Sequence, residues 1–201
     1  MHIKSIILQL FEMGAISFGK FTLKSGILSP IYIDLRITIS NPKLLVAIAE
    51  ALYDVVRGRR FDLLCGVPYT ALPFATAISI QHNIPLILRR KEKKEYGTGK
   101  LVEGVFAPGQ RCLIIEDVVT SGKSILETAE PVTEVGLEIT DAVVLLDREQ
   151  GGKQLLAQKK IELHSLITIS SMIYLLTEEK KIDEKTAEET LTFIHSHQTP
   201  G

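Results

Sequence analysis

From Leu63 to Leu88 the chain carries no Asp, Glu, Lys or Arg, and this stretch narrows the folds open to it. It is long enough to cross a bilayer as a helix. Pro68, Pro73 and Pro85 interrupt it, however, and Gln81-His82-Asn83 lies inside it, which argues against a membrane span. The remaining parse is a strand over 61–65, a turn over 66–70, a helix over 71–81 and a strand over 86–88. Strands joined through a helix run parallel, and strands this apolar need helices on both faces of their sheet.

The same alternation continues on either side. Asn41-Pro42 reads as a cap and first-turn proline, followed by Leu44, Leu45, Ile48, Leu52 and Val55 at helical spacing until Gly58. Apolar runs at 113–115 and 142–146 read as further strands, and 123–135 as a helix closed by Gly136. Pro131 falls inside that helix, where an interior proline costs about 3 kcal/mol, so a kink or break is expected. Ile3, Ile6, Ile7, Leu10 and Phe11 share one face ahead of Gly14, which makes an amphipathic helix and not a signal peptide. Residues 14–40 break the rhythm with glycine and Ser-Pro punctuation and predict a hairpin-like subdomain. Helices near 171–179 and 183–197 follow, with fraying from His195. The expectation is one α/β domain over 1–201, with a mostly parallel central sheet flanked by helices. Its parts are an N-terminal helix and hairpin (1–40), a core (41–170) and C-terminal helices (171–197).

A formal net charge of −1 gives no overall field toward nucleic acid or a membrane surface, so attraction to an anion needs a local cluster. Residues 89–104 supply one: Arg89, Arg90, Lys91, Lys93, Lys94 and Lys100 outnumber Glu92, Glu95 and Glu103, among Gly97, Gly99 and Gly104. Charge alone also fits a solvated surface or a nucleic-acid contact. Between two buried strands, the segment reads as a mobile cationic lid over a ligand edge. Cys65 and Cys112 sit in apolar runs, as buried reduced thiols of a cytoplasmic protein do. His2, His82, His164, His195 and His197 have neither ligand spacing nor a strand-end position, so no metal site is expected from them; His195-x-His197 could hold a stray ion weakly.

Residues 113–124, Leu-Ile-Ile-Glu-Asp-Val-Val-Thr-Ser-Gly-Lys-Ser, carry most of the chemistry. Glu116 and Asp117 are expected where a parallel strand ends, the edge at which open α/β sheets bind ligands. The turn Thr120-Ser121-Gly122 then leads into a helix whose first N–H groups suit an anion. Two acids after a buried strand are costly unless something pairs with them. Beside a phosphate cradle they suggest a sugar phosphate, with ribose hydroxyls donating to the carboxylates and positive charge on the ring favoured. Gly122-Lys123-Ser124 is not a nucleotide P-loop, because that motif requires glycine where Asp117 stands.

The run 114–122 is similar to the 5-phosphoribosyl 1-diphosphate (PRPP) signature of the type I phosphoribosyltransferases. Segments 21–26, 29–36, 66–73, 90–97 and 146–152, in that order, resemble the orotate phosphoribosyltransferases, particularly that domain of UMP synthases. The resemblance implies the type I phosphoribosyltransferase fold with a small N-terminal hood over the base. It also implies a cytoplasmic homodimer sharing the 89–104 loop across its interface, and Mg²⁺ carried mainly by PRPP. The implied reaction transfers the phosphoribosyl group to orotate, giving orotidine 5'-monophosphate and diphosphate in UMP biosynthesis. Glu116, Asp117 and Lys94 are the implied catalytic residues. PRPP contacts are implied for these and for Lys24, Tyr69, Thr70, Arg90, Lys91, Tyr96, Val118, Val119, Thr120, Ser121, Gly122, Lys123 and Ser124. Orotate contacts are implied for Lys24, Tyr32, Ile33, Thr120 and Arg148. A guanidinium fork suits the carboxylate that distinguishes orotate from uracil.

Two positions depart from the pattern of many members. Tyr96 stands where bacterial members have histidine, and a phenol of pKa about 10 does not titrate near neutrality. Thr70 stands where others have lysine, a feature shared with UMP synthases. The decarboxylase half of those enzymes has no counterpart here, so a separate orotidine 5'-monophosphate decarboxylase is an expected partner, and nucleic acid and membrane are not. Other activities consistent with the residues are transfer to a different base, or regulation by a PRPP-binding fold.

Overall fold

The computed structural model describes residues 2–22, 26–91 and 101–198. Helix α1 (Ile3–Glu12) leads into an antiparallel pair, β1 (Ile16–Thr22) and β2 (Leu28–Ile33), and a 3₁₀ segment at Leu35–Ser40. The core follows as α2 (Pro42–Val56), β3 (Leu63–Gly66), α3 (Ala71–His82), β4 (Leu86–Arg89), β5 (Val102–Glu103), β6 (Cys112–Val119), α4 (Lys123–Glu134), β7 (Asp141–Asp147), α5 (Gly152–Gln158) and β8 (Glu162–Thr168). Helices α6 (Ile169–Glu178) and α7 (Glu184–Ser196) complete the described chain.

The central sheet has the order β5-β4-β3-β6-β7-β8, parallel from β4 through β8, with β5 antiparallel on one edge. This is the α/β architecture expected from the uncharged stretch. Alternation along β3 divides the core. Leu64 joins a large cluster with Leu52, Phe74, Ile114 and Val143, whereas Leu63 and Cys65 join Ile87, Cys112, Val132 and Leu137. Cys65 and Cys112 are free buried thiols. The hydrogen bond between them lowers the Cys65 pKa and raises that of Cys112.

Several expectations change. The strand read over 113–115 extends to Val119, because Glu116, Val118 and Val119 pair with β7. The acids therefore lie within the strand, and the turn begins at Thr120. Helix α4 runs unbroken through Pro131, which is buried and only three residues from the helix end at Glu134. One backbone donor is lost in the last turn, while the ring fills core space. Part of the 89–104 lid is strand: Leu88 pairs with Glu103 and Arg89 with Val102. The fraying expected from His195 is not seen as far as Gln198, since α7 continues to Ser196 and His197 and Gln198 are hydrogen-bonded; residues 199–201 lie outside the described residues.

Candidate functional site

Four loops leave the sheet at one edge: 67–70 after β3, the segment after β4, 120–122 after β6 and 148–151 after β7. The strand order reverses between β3 and β6, which opens a crevice there. Gly66 ends β3 against α3. A Cβ at this position would lie 3.1 Å from Ala71 O, Leu72 Cα and Ala75 Cβ, so glycine permits the close crossing.

The β6 and β7 loops are locked together. Arg148 N donates to Val119 O at 2.9 Å and Gly152 N to Thr120 O at 2.9 Å. Gly122 takes a left-handed conformation, φ 79°, to start α4, and lies against Gly152. A Cβ on Gly152 would come within 2.8 Å of Thr120 O and of Val119 Cγ2. Around this turn, Glu116, Val118, Val119, Thr120, Ser121, Gly122, Ser124 and Ile125 line a cavity of about 80 Å³. The α4 N-terminus opens into it, with no acidic side chain in the first turn to compete with an anion. Hollows of about 1170 and 980 Å³ lie away from this edge, beside β1 with α6–α7 and along α4, and are open surface grooves.

The two acids differ. Glu116 is 4% exposed, and Asp117 is partly exposed. Glu116 Oε1 accepts from Asp117 N at 2.9 Å. Burial, and then the neighbouring Asp117 carboxyl, push the Glu116 pKa well above the usual carboxylate range, so Glu116 tends to keep its proton. The two acids therefore sit in different environments: Glu116 is buried in the strand and Asp117 reaches the site edge.

Arg148 follows β7. No carboxylate of the described residues makes an ion pair with it, and its buried Nε has no hydrogen-bond partner there. Burial lowers its pKa without threatening a guanidinium's charge. Pairing with Asp147 or Glu149, the ordinary surface alternative, is not observed. Asp147 Oδ1 instead accepts Glu149 N at 2.8 Å.

On the β3 side, Tyr69 is 67% exposed, and Lys91 Nζ sits 4.7 Å from its ring centroid. Thr70 caps α3 without a side-chain hydrogen bond. Arg90 is anchored by Glu103, Nη1 to Oε1 2.9 Å, so part of its charge is already matched. In the hairpin, Tyr32 is stacked on Phe21, centroids 5.4 Å apart, and Arg36 Nη2 donates to its hydroxyl at 3.4 Å. Ile33 lies on the opposite face of β2 and packs on the core, so the structure does not bring it beside Tyr32 as a second base-flanking side chain. Val118 and Val119 end β6 ahead of the turn and line the cavity, and Ser121, Lys123 and Ser124 surround the α4 start. Lys24, Lys94 and Tyr96 lie outside the described residues.

Arg89, counted in the sequence only as part of the cationic segment, is the last residue of β4, and its Nε is buried without a partner among the described residues. Its place at the head of the basic segment was the available signal. Sequence reasoning missed a cluster at the opposite rim, where the ligand atoms of Asp141, Glu162 and His164 lie within 4.8 Å of one another. Arg59 already sits there, 2.7 Å from Glu162 and 3.9 Å from Asp141, and His164 is 2.7 Å from Asp141, so the group is a charge-matched staple.

Comparison with known proteins follows the same geometry. The family described as phosphoribosyl transferase domain matches residues 38–169. The uridine 5'-monophosphate synthase of Bos taurus is 50% identical over 96% of this chain, which covers 41% of that protein. The orotate phosphoribosyltransferase of Chlamydia caviae is 42% identical over 94% of this chain and 93% of its own length. The structure of Leishmania donovani UMP synthase superposes with a TM-score of 0.88 at 33% identity, covering 98% of this chain and 43% of that one. The chain thus spans about two fifths of the UMP synthases it matches.

Proposed function

Because the chain belongs to the phosphoribosyltransferase family, and within it to the group of the orotate phosphoribosyltransferases, we propose that it makes orotidine 5'-monophosphate and diphosphate from orotate and PRPP. The observation that carries this reading is the locked pair of loops at the switch point: a phosphate-sized turn on β6 and, bonded to it, the Arg148 loop on β7.

The 5'-phosphate takes the amides at the start of α4, around Ser121 to Ser124. The ribose hydroxyls donate to Asp117 and Glu116. Orotate presents its carboxylate to Arg148 and lies under Tyr32, with Thr120 and Lys24 as further contacts. Its N1 attacks C1 of the ribose from the side opposite the diphosphate. The C1–oxygen bond breaks with its electron pair staying on the diphosphate, the proton of N1 passes to the departing diphosphate or to solvent, and the configuration inverts. The Asp117 carboxylate favours the positive charge developing at C1, while Tyr69, Thr70, Arg90, Lys91, Lys94 and Tyr96 attend the departing diphosphate.

Mg²⁺ fits as a companion of PRPP, since Asp117 offers a single accessible hard oxygen donor and such ions take one or two carboxylates plus substrate phosphates. When bound, it neutralises diphosphate charge. We further propose a cytoplasmic homodimer that shares the 89–104 segment, with a decarboxylase activity consuming the product. No helix among the described residues is long and apolar enough to cross a membrane.

The test is nucleotide formation from PRPP and Mg²⁺ with orotate, uracil or hypoxanthine. Orotate alone is expected to release diphosphate. Turnover with uracil or hypoxanthine but not with orotate would overturn the assignment.

A further inference from the structure

The end of α7 grips the loop that carries Arg148. Glu149, directly after the arginine, is left-handed with φ 56°, a conformation that a residue bearing a long side chain seldom adopts. Each of its polar groups is held. Its N–H donates to Asp147 Oδ1 at 2.8 Å, and its carboxylate Oε2 accepts Ser170 N at 2.9 Å in the first turn of α6, where a negative charge is favourable. Its carbonyl accepts Gln198 Nε2 at 3.0 Å. Gln198 Nε2 also donates to Ile194 O at 2.9 Å, and Gln150 Nε2 donates to His197 O at 2.7 Å, so the loop is tied to α7 at two points. The stack of His197 on Phe193, centroids 4.1 Å apart, stiffens that end of the helix.

These bonds converge on one backbone segment, residues 148–150, whose other side is bonded to the phosphate turn through Arg148 N and Val119 O. A guanidinium recognises a carboxylate only where its planar fork is aimed correctly, and among the described residues no ion pair with the Arg148 side chain aims it. Its direction is therefore set by the backbone beneath it.

We propose that Glu149 and Gln198 are positioning residues for the base. They hold the left-handed turn that points Arg148 at the orotate carboxylate, so the residues after α7 form part of the specificity apparatus. This deepens the reading of Arg148 as the orotate-binding residue and rests on it. The hydrogen bonds of both residues run to one another, Asp147, α6 and α7 and not to the phosphate turn, which separates their effect on orotate from an effect on PRPP.

The experiment measures KM for orotate and for PRPP, together with Tm, on the full chain carrying Gln198→Ala, Glu149→Ala, Glu149→Gln or Arg148→Ala. Gln198→Ala and Glu149→Ala are each expected to raise the orotate KM about three- to tenfold, the scale of one lost hydrogen bond, with the PRPP KM unmoved and Tm lowered by roughly 2–4 °C. Glu149→Gln keeps an oxygen for Ser170 N–H and is expected to recover most of the loss seen with Glu149→Ala. An unchanged orotate KM in the first two variants, or a parallel shift of both KM values, overturns the proposal. Arg148→Ala separates the layers. If it leaves orotate saturation unaltered, the reading of Arg148 itself fails. If it raises the orotate KM while Gln198→Ala and Glu149→Ala do not, only the positioning role fails.

Discussion

Replacing Gly152 by alanine tests whether the phosphate turn and the Arg148 loop are mechanically one unit. Gly152 opens α5, a place where alanine is ordinarily preferred over glycine by up to about 1 kcal/mol. Here the added carbon would sit 2.8 Å from Thr120 O, 2.8 Å from Val119 Cγ2 and 3.1 Å from Gly122 N. Carbon needs about 3.5–4.0 Å from another carbon, and two of the three obstacles are backbone atoms that cannot rotate aside. Overpacking of this kind costs about 1–3 kcal/mol, so the clash outweighs the helix preference and the net loss is about 1–2 kcal/mol. For a chain of this size, each kcal/mol lowers Tm by roughly 2–4 °C. The strain falls on Thr120 and Gly122, so PRPP should bind about tenfold more weakly, the equivalent of roughly 1.4 kcal/mol. Thermal denaturation and PRPP titration by calorimetry read the two effects. A Tm equal to or above that of the parent, with unchanged PRPP affinity, would refute the claim that the loops are locked.

Asp117→Asn keeps the shape and removes the charge, and kcat is expected to fall by roughly 10²–10³ with PRPP binding retained; undiminished turnover would remove Asp117 from the reaction. Because the Glu116 pKa is raised on folding, its proton is bound more tightly in the native chain, and native stability falls as pH rises from about 4.5 toward the folded value. Glu116→Gln should therefore raise Tm at pH 8 and lose that advantage near pH 4, and a pH-independent difference would contradict the assignment. At the opposite rim, burial disfavours the Asp141 charge, but hydrogen bonds from Thr140 and His164 and the nearby Arg59 hold its pKa below the ordinary value. The stability it confers is present at neutral pH and lost as pH falls through that depressed pKa. Asp141→Asn should cost about 1 kcal/mol at pH 7, seen in urea denaturation, and nothing once the parent's aspartate is protonated.

Periodicity and punctuation made the sheet legible, because buried parallel strands need uncharged runs and their crossovers need prolines and glycines at the ends. The uncharged stretch 63–88 alone predicts β3, α3 and β4 within a residue or two. Strand length was harder to read. Glu116 and Asp117 look like the end of a strand because charge marks a surface, yet pairing with β7 carries β6 on to Val119. Pro131 misled for the opposite reason: its local penalty is real, but a buried position close to the helix end absorbs it. The phosphate turn and Arg148 were visible in the order of residues. Their connection was not, because the close approach of Gly122 to Gly152 and the grip of Gln198 on Glu149 join positions far apart in sequence.

The sulfur pair at the middle of the sheet makes the molecule its own stability gauge. Neither Cys65 nor Cys112 can meet a thiol reagent until β3 and β6 come away from α4, so the labelling rate without denaturant reports opening of the central strands. A ligand that binds only the closed form slows that clock by mass action, about 2.7 kcal/mol at a hundred times its Kd. Occupancy by PRPP or orotate can thus be followed from the buried core between β3 and β6, with no label on the reacting groups.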